Sequence, residues 1–220
     1  MQADTAVRVI DGIPVRPLTA EITPEIRITI YDASVSEEIL EQAIEDANID
    51  PYASILWPSA LAVARELPDL VSPGDYVVDL GSGTGLATLT AAHLGANVTA
   101  YDHDRFALHL IEAAAHLQGL DVETIHFDLH SSRRIPPADL MIVADLLYDY
   151  DLAFAVGRRV LHHVRNGGRA IIGDPGRIAS ADFLKFLEQQ GIHGDFSPAE
   201  VSPPGHEGPP MYVGIHLFGE

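Results

Sequence analysis

From Tyr76 onward the apolar residues switch repeatedly between two rhythms. Short apolar runs, YVVDL (76–80), NVTAY (97–101), ETIHF (123–127), DLMIVAD (139–145) and RAIIGD (169–174), read as strands. Between them apolar residues return every three or four positions, near 85–94, 104–118, 149–165 and 180–190, and read as helices. Phe106, Leu110, Ala113 and Leu117 form the stripe of the second; Leu152, Val156, Val160 and Val164 form that of the third. LMIVA is apolar without alternation, as a central strand covered on both faces should be. Strands alternating with helices, joined by right-handed crossovers, predict an α/β fold: a doubly wound, mostly parallel, Rossmann-like sheet. Ligands of such a sheet sit beyond the strand C-termini.

The ends of the chain differ. VRVI (7–10) and the alternating IRITIY (26–31) read as short strands around a turn at Gly12 and Pro14. Ser36 can cap a helix carrying Ile39, Ala43 and Ile44 or Ala47, which Pro51 ends. Pro58 opens another, with Leu61, Ala64 and Leu67 on its apolar face. Residues 1–70 hold too few large apolar side chains for a core of their own, so they are read as a small N-terminal cap on a core spanning 71–220. At the other end, SPPGHEGPP (202–210) is a surface connection or a lid, followed by a strand-like MYVGIHLF (211–218).

Composition narrows the partners. Acids outnumber bases 32 to 13, a net charge of −19, which repels a phosphate backbone and disfavours nucleic acid. Residues 1–50 concentrate the imbalance, with 11 acids against Arg8, Arg16 and Arg27. That surface serves solubility or docks a basic, lysine-bearing protein. No apolar run approaches membrane-spanning length and no secretory signal opens the chain, so no membrane partner and a cytoplasmic location are expected. With no cysteine, disulfide, thiolate and Cys-metal chemistry are excluded. His126, Asp128 and His130, and the adjacent His162 and His163, lack the spacing of a zinc site, so no metal is expected.

The strongest local signal is VVDLGSGTGL (77–86), a strand ending at Asp79 and running straight into a glycine turn. Gly81, Gly83 and Gly85 let the backbone pass close to a ligand. A dinucleotide fingerprint would need its third glycine at 86, where Leu86 stands, and the P-loop lysine is missing. An acid before G-x-G-x-G resembles motif I of the class I methyltransferases, which implies S-adenosylmethionine as cofactor and S-adenosylhomocysteine as product. Asp102 ends the next strand, where an acid can accept both ribose hydroxyls; His103 beside it joins the cofactor-binding candidates. Asp104 reads as a helix N-cap.

The fourth strand runs into ADLLYDYDLA (144–153). Its D-x-x-Y, Asp145 and Tyr148, resembles the signature of the seven-strand protein-lysine methyltransferases; without that resemblance, Asp145 could be a helix cap and Tyr148 a packing residue. TPEIRITI (23–30), DPYASILWPSALAVAREL (50–67), DLGSGTGL and GDPGR (173–177) occur in the order expected of one group. The chain is similar to the lysine methyltransferases of the electron transfer flavoprotein β subunit and their bacterial relatives. The likeness spans about 150 residues. It departs at EAAAHLQG (112–119), where those relatives usually carry asparagine, and after Arg177.

The resemblance implies seven strands and transfer of a methyl group to a lysine side chain of a protein, with a small-molecule N- or O-methyltransferase as the alternative. It implies Asp145 and Tyr148 as catalytic, Asp145 positioning the amine. It places Trp57, Asp79, Gly81, Ser82, Gly83, Gly85, Asp102, His103, Asp128 and Asp145 at the cofactor, with Asp128 near the adenine amine. Trp57 could equally be core; Asp174 and Arg177 border the acceptor channel, or Arg177 pairs with Asp174 instead. A monomer is favoured, in the cytoplasm of a bacterium or the mitochondrial matrix of a eukaryote.

Overall fold

The computed structural model describes residues 7–33 and 51–219 of the chain. The helix expected after Ser36 lies outside the described residues. Three N-terminal strands, β1 (Arg8–Ile10), β2 (Ile13–Glu21) and β3 (Arg27–Asp32), form an antiparallel sheet of their own. Ile10 faces Ile13, so Asp11 and Gly12 alone make the turn, both at positive φ, as a tight hairpin demands. β2 was not foreseen, because Pro14 and Pro17 argue against a strand; neither has an N–H to give to a ladder.

The main sheet has seven strands: β4 (Tyr76–Leu80), β5 (Asn97–Asp102), β6 (Glu123–His126), β7 (Leu140–Ala144), β8 (Arg169–Asp174), β9 (Gly194–Val201) and β10 (Met211–Phe218). They lie in the order β6-β5-β4-β7-β8-β10-β9. The first five are mutually parallel, and β10 runs antiparallel to both β8 and β9. Periodicity missed β9: GDFSPAEV carries Pro198 and little apolar alternation, which an edge strand tolerates. The chain leaves β4 for β5 and β6, then returns to place β7 on β4's other side. That reversal opens a crevice at the β4 and β7 C-termini.

Alternate residues of each central strand enter different cores. Val77, Val98, Leu140, Ile142 and Ile171 join one; Val78, Leu80, Met141, Val143 and Ile172 join the other. The first is covered by α1 (Pro58–Leu70), α2 (Leu86–His93), α3 (Arg105–Gln118) and the N-terminal strands. The second is covered by α4 (Tyr150–Arg165) and α5 (Ser180–Gln189). Continuous apolar runs therefore mean what they predicted, a sheet buried on both faces. In the α3 stripe, Leu117 is exposed rather than buried, in the last turn before the left-handed C-cap Gly119.

The N-terminal strands are tied on by polar contacts as well as apolar ones. Gln118 of α3 pairs with the β3 backbone, accepting from Thr29 N at 2.9 Å and donating to Thr29 O at 2.8 Å. Buried Asp32 accepts from Leu56 N at 3.1 Å, and Ala33 N donates to Ser54 O at 3.0 Å. These bonds hold the short 3-10 turn Pro51–Ser54 and the start of α1 over the crevice.

Candidate active site

The glycine turn is built by its neighbours. Gly81 N and Ser82 N both donate to Tyr101 O, bending the chain across the end of β5. Gly81 has φ 64°, and a Cβ there would lie 2.6 Å from Leu146 Cδ2. Gly83 N donates to Asp102 Oδ2 at 2.8 Å, while Asp104 N donates to Asp102 Oδ1 at 2.9 Å. The carboxylate is thus oriented by backbone, with lone pairs left for a ligand. Asp104 caps α3 by accepting from Phe106 N and Ala107 N.

Beneath the turn, Asp79 is buried and accepts from Thr88 Oγ1 at 2.6 Å, joining β4 to α2. Burial pushes its carboxyl from 3.8 up to about 7; the Thr88 hydroxyl opposes this and the nearby Asp102 carboxylate adds to it. A raised carboxyl pKa means the folded chain holds a proton that the unfolded chain has lost. This contribution to stability is complete below about pH 4 and is lost as pH rises through about 7. Asp79→Asn should therefore match wild type at acid pH and exceed it, by up to roughly 4 kcal/mol, at about pH 8. Urea unfolding of both proteins across that range checks this; a difference independent of pH would refute it.

A cavity of about 590 Å³ opens above the turn, a size suited to a small organic ligand. Gly81, Gly83, Asp102 and His103 line one part; Tyr101, Phe127, Asp128, Leu129 and His130 line another. Trp57 and Tyr52 cover it, and Asp145, Tyr148 and Arg177 stand at its far end. Of the residues expected at the cofactor, Trp57, Gly81, Gly83, Asp102, His103, Asp128 and Asp145 meet in this space. Asp79, Ser82 and Gly85 do not line it; they shape the turn from behind, with Ser82 Oγ buried and without a hydrogen-bond partner.

Sequence reasoning missed the aromatic wall and its support. Tyr101 and Phe127 meet edge to face with centroids 5.3 Å apart. The Arg159 guanidinium lies 4.7 Å from the Phe127 centroid and donates to Leu129 O, Ser131 O and Arg133 O. It fixes the loop that carries Asp128 and His130. Nothing in a helix stripe marks Arg159, since its partners come from a different βα unit.

At the far end of the cavity, Asp145 is buried and adopts φ 62°, a left-handed conformation that Asp tolerates better than most residues. It accepts from Ser59 Oγ at 2.8 Å and Arg177 Nε at 2.6 Å. Of the two readings of Arg177, the side-chain pair with Asp174 is thereby corrected, and Asp174 itself does not line the cavity. Asp174 instead accepts from the backbone N–H of Gly176 and Arg177 and from Ser180 Oγ, so it shapes the turn that aims Arg177 at Asp145. Asp145 is no helix cap either; Asp149 caps α4, accepting from Leu152 N. Tyr148 is half exposed at the rim. Trp57 is not core: its Nε1 donates to Tyr52 O at 2.9 Å and its ring meets the Arg177 guanidinium at 5.1 Å. No group of His and acidic residues able to hold a metal ion occurs among the described residues.

A family model described as Ribosomal protein L11 methyltransferase (PrmA) matches residues 61–173, just over half of the chain. The chain belongs to this methyltransferase family. The match contains the glycine turn, Asp102 and Asp145, whereas Trp57, Ser59 and Arg177 lie outside it. A rat protein named electron transfer flavoprotein beta subunit lysine methyltransferase is 38% identical over 133 residues, covering 58% of this chain and 52% of its own length. A ribosomal protein L11 methyltransferase of Bacillus cereus is 30% identical over 193 residues, covering 84% of this chain and 55% of its own. The chain thus spans about half the length of the curated relatives it matches. Among solved structures, TrmN from Thermus thermophilus is 23% identical with a TM-score of 0.58, over 77% of this chain and 52% of its own. Magnesium protoporphyrin IX methyltransferase from Synechocystis PCC 6803 is 20% identical with a TM-score of 0.55, over 73% and 76%. These two share the class I methyltransferase fold.

Proposed function

We propose that the chain binds S-adenosylmethionine in this cavity and transfers its methyl group to a lysine side chain of a protein. The observation that carries the reading is Asp145 sharing one cavity with the glycine turn and Asp102. Gly81 and Gly83 leave room for the amino-acid end of the cofactor, Asp102 is oriented to accept ribose hydroxyls, and Phe127, Leu129 and Asp128 suit an adenine ring and its amine. Asp102, Asp128, Asp145 and Asp149 outnumber Arg177 as fixed charges lining the cavity, which favours a ligand of net positive charge.

The cofactor supplies an electrophilic methyl carbon on a sulfonium. Methyl transfer is an in-line displacement, so the residues' main task is alignment. Asp145 accepts an N–H of the acceptor amine and aims its lone pair; a C–N bond forms as the C–S bond breaks, its electrons staying on sulfur. The ammonium proton is lost to water beforehand, at a cost of roughly 4–5 kcal/mol at pH 7 for an unperturbed lysine. Tyr148 closes one side of the acceptor channel.

We propose the β subunit of electron transfer flavoprotein as the substrate, on the D-x-x-Y signature and the rat relative. Ribosomal protein L11 is a second reading, favoured by the family match. Incubation of the chain with methyl-labelled S-adenosylmethionine and each purified protein should label a lysine of the flavoprotein, located by mass spectrometry. Label on L11 alone would move the reading to the ribosome. Label only on small amines of an extract would exclude a protein substrate.

A further inference from the structure

We propose that Arg177 is a positioning residue that makes the Asp145 site favour a neutral amine over an ammonium. The proposal rests on the methyl-transfer reading and concerns the Asp145–Arg177 charge pair. Asp145 is almost wholly buried, its side chain 3% exposed, and a carboxylate so placed would by itself hold an ammonium and oppose loss of its proton. Arg177 Nε lies 2.6 Å from Asp145 Oδ1, close enough to cancel most of that field. The lone pairs that Ser59 and Arg177 leave unused still orient an incoming N–H. Asp145 can then aim the amine without trapping it protonated.

Arg177 is held there from several sides. Asp174, buried at the end of β8, accepts from the Arg177 backbone N–H at 3.1 Å and from Gly176 N at 2.8 Å. Gly176 takes φ 88°, and Ser180 Oγ closes the turn by donating to Asp174 and to Arg177 O. The guanidinium rests on Trp57, whose own N–H is fixed to Tyr52 O. Such a cation is part of the wall rather than a swinging surface charge.

The other titratable groups around the space are Tyr52 before α1, Tyr101 and Asp102 at the end of β5 with His103 after it, and Asp128 and His130 after β6. Tyr148 and Asp149 stand before α4. Asp174 lies behind Arg177, with His216 of β10 beyond it. Among these, Arg177 is the permanent cation in direct contact with Asp145.

The test uses n-butylamine as a lysine side-chain probe, titrated into the full chain with S-adenosylhomocysteine present. Trp57, the sole tryptophan, reports binding through its fluorescence. Arg177→Gln should bind the probe about tenfold more tightly than wild type at pH 7, and the apparent pKa of the bound amine should rise by about one unit. Arg177→Lys, which keeps the charge but not the fork or the stacking on Trp57, should bind the probe less tightly than Arg177→Gln does. With flavoprotein β subunit as substrate, Arg177→Gln should lower KM and shift the kcat profile to higher pH. Equal or weaker probe binding by Arg177→Gln would overturn the proposal, as would a kcat loss with KM and pH profile unmoved. If the wild type methylates no protein but the amine affinities fall in the expected order, Arg177 keeps this role and the protein-lysine reading fails instead.

Discussion

Replacing Asp145 by asparagine is expected to slow methyl transfer by about a hundredfold, while affinity for S-adenosylhomocysteine stays within about threefold of wild type. Asparagine is the informative replacement because Asp145 sits at φ 62°, which asparagine accepts and alanine resists. The amide oxygen can keep the bond from Ser59, so the β7 terminus should hold its shape. What is lost is the charge that balances Arg177 and the acceptor that aims the amine. A hundredfold loss corresponds to about 2.7 kcal/mol in the barrier, within the range of a single preorganised polar contact. Removing one partner of a mostly buried ion pair also lowers stability, so the melting temperature has to be measured alongside turnover. Normal turnover in a folded variant would take Asp145 out of the reaction. Equal losses in turnover and cofactor affinity would reassign it to the cofactor pocket.

Gly85→Ala should cost about 3 kcal/mol of stability, enough to shift the urea midpoint clearly. Two effects combine there. Gly85 takes φ 77°, and a Cβ would overlap Ile111 Cγ1 and lie 3.0 Å from its Cδ1. The left-handed backbone alone costs about 1–2 kcal/mol for alanine, and forcing apart packed side chains costs about 1–3 kcal/mol more. Gly119 separates the two: its φ is 65° but its Cβ would meet nothing within 4 Å, so Gly119→Ala should show only the smaller, backbone cost. Truncating Ile111 beside Gly85→Ala should recover part of the loss, giving a double-mutant coupling of opposite sign to the single costs. If the two glycine variants lose the same stability, the overlap with Ile111 is not what the site feels. The third glycine of the turn would then serve the helix-starting backbone alone.

The periodic parts of the chain were legible because periodicity is a local property. A strand buried on both faces must be apolar at every position, so LMIVA announced β7, and steps of four announced α4. Asp104 and the glycine turn were readable for the same reason, since a cap or a left-handed turn is satisfied by residues a few positions away. Where local signals conflict they misled. Pro14 and Pro17 concealed β2, although Asp11-Gly12 is a hairpin turn in plain text. Weak alternation and Pro198 concealed β9, whose strand character comes from pairing with β10 rather than from its own side chains.

The sequence by itself determined the alternation of strands and helices, the glycine turn after β4, and Asp102 and Asp145 at strand ends. It also carried the likeness to methyltransferases. Only the tertiary structure decided which side chains meet Asp145. Ser59 reaches Asp145 across 86 positions and Arg177 across 32. Arg177 had a nearer carboxylate in Asp174, yet the turn engages Asp174 Oδ2 with backbone N–H and Ser180 and points the guanidinium elsewhere. Sequence order favours the nearest partner; crossover connections bring distant strand ends to one edge of the sheet, and there proximity in space chooses the pair.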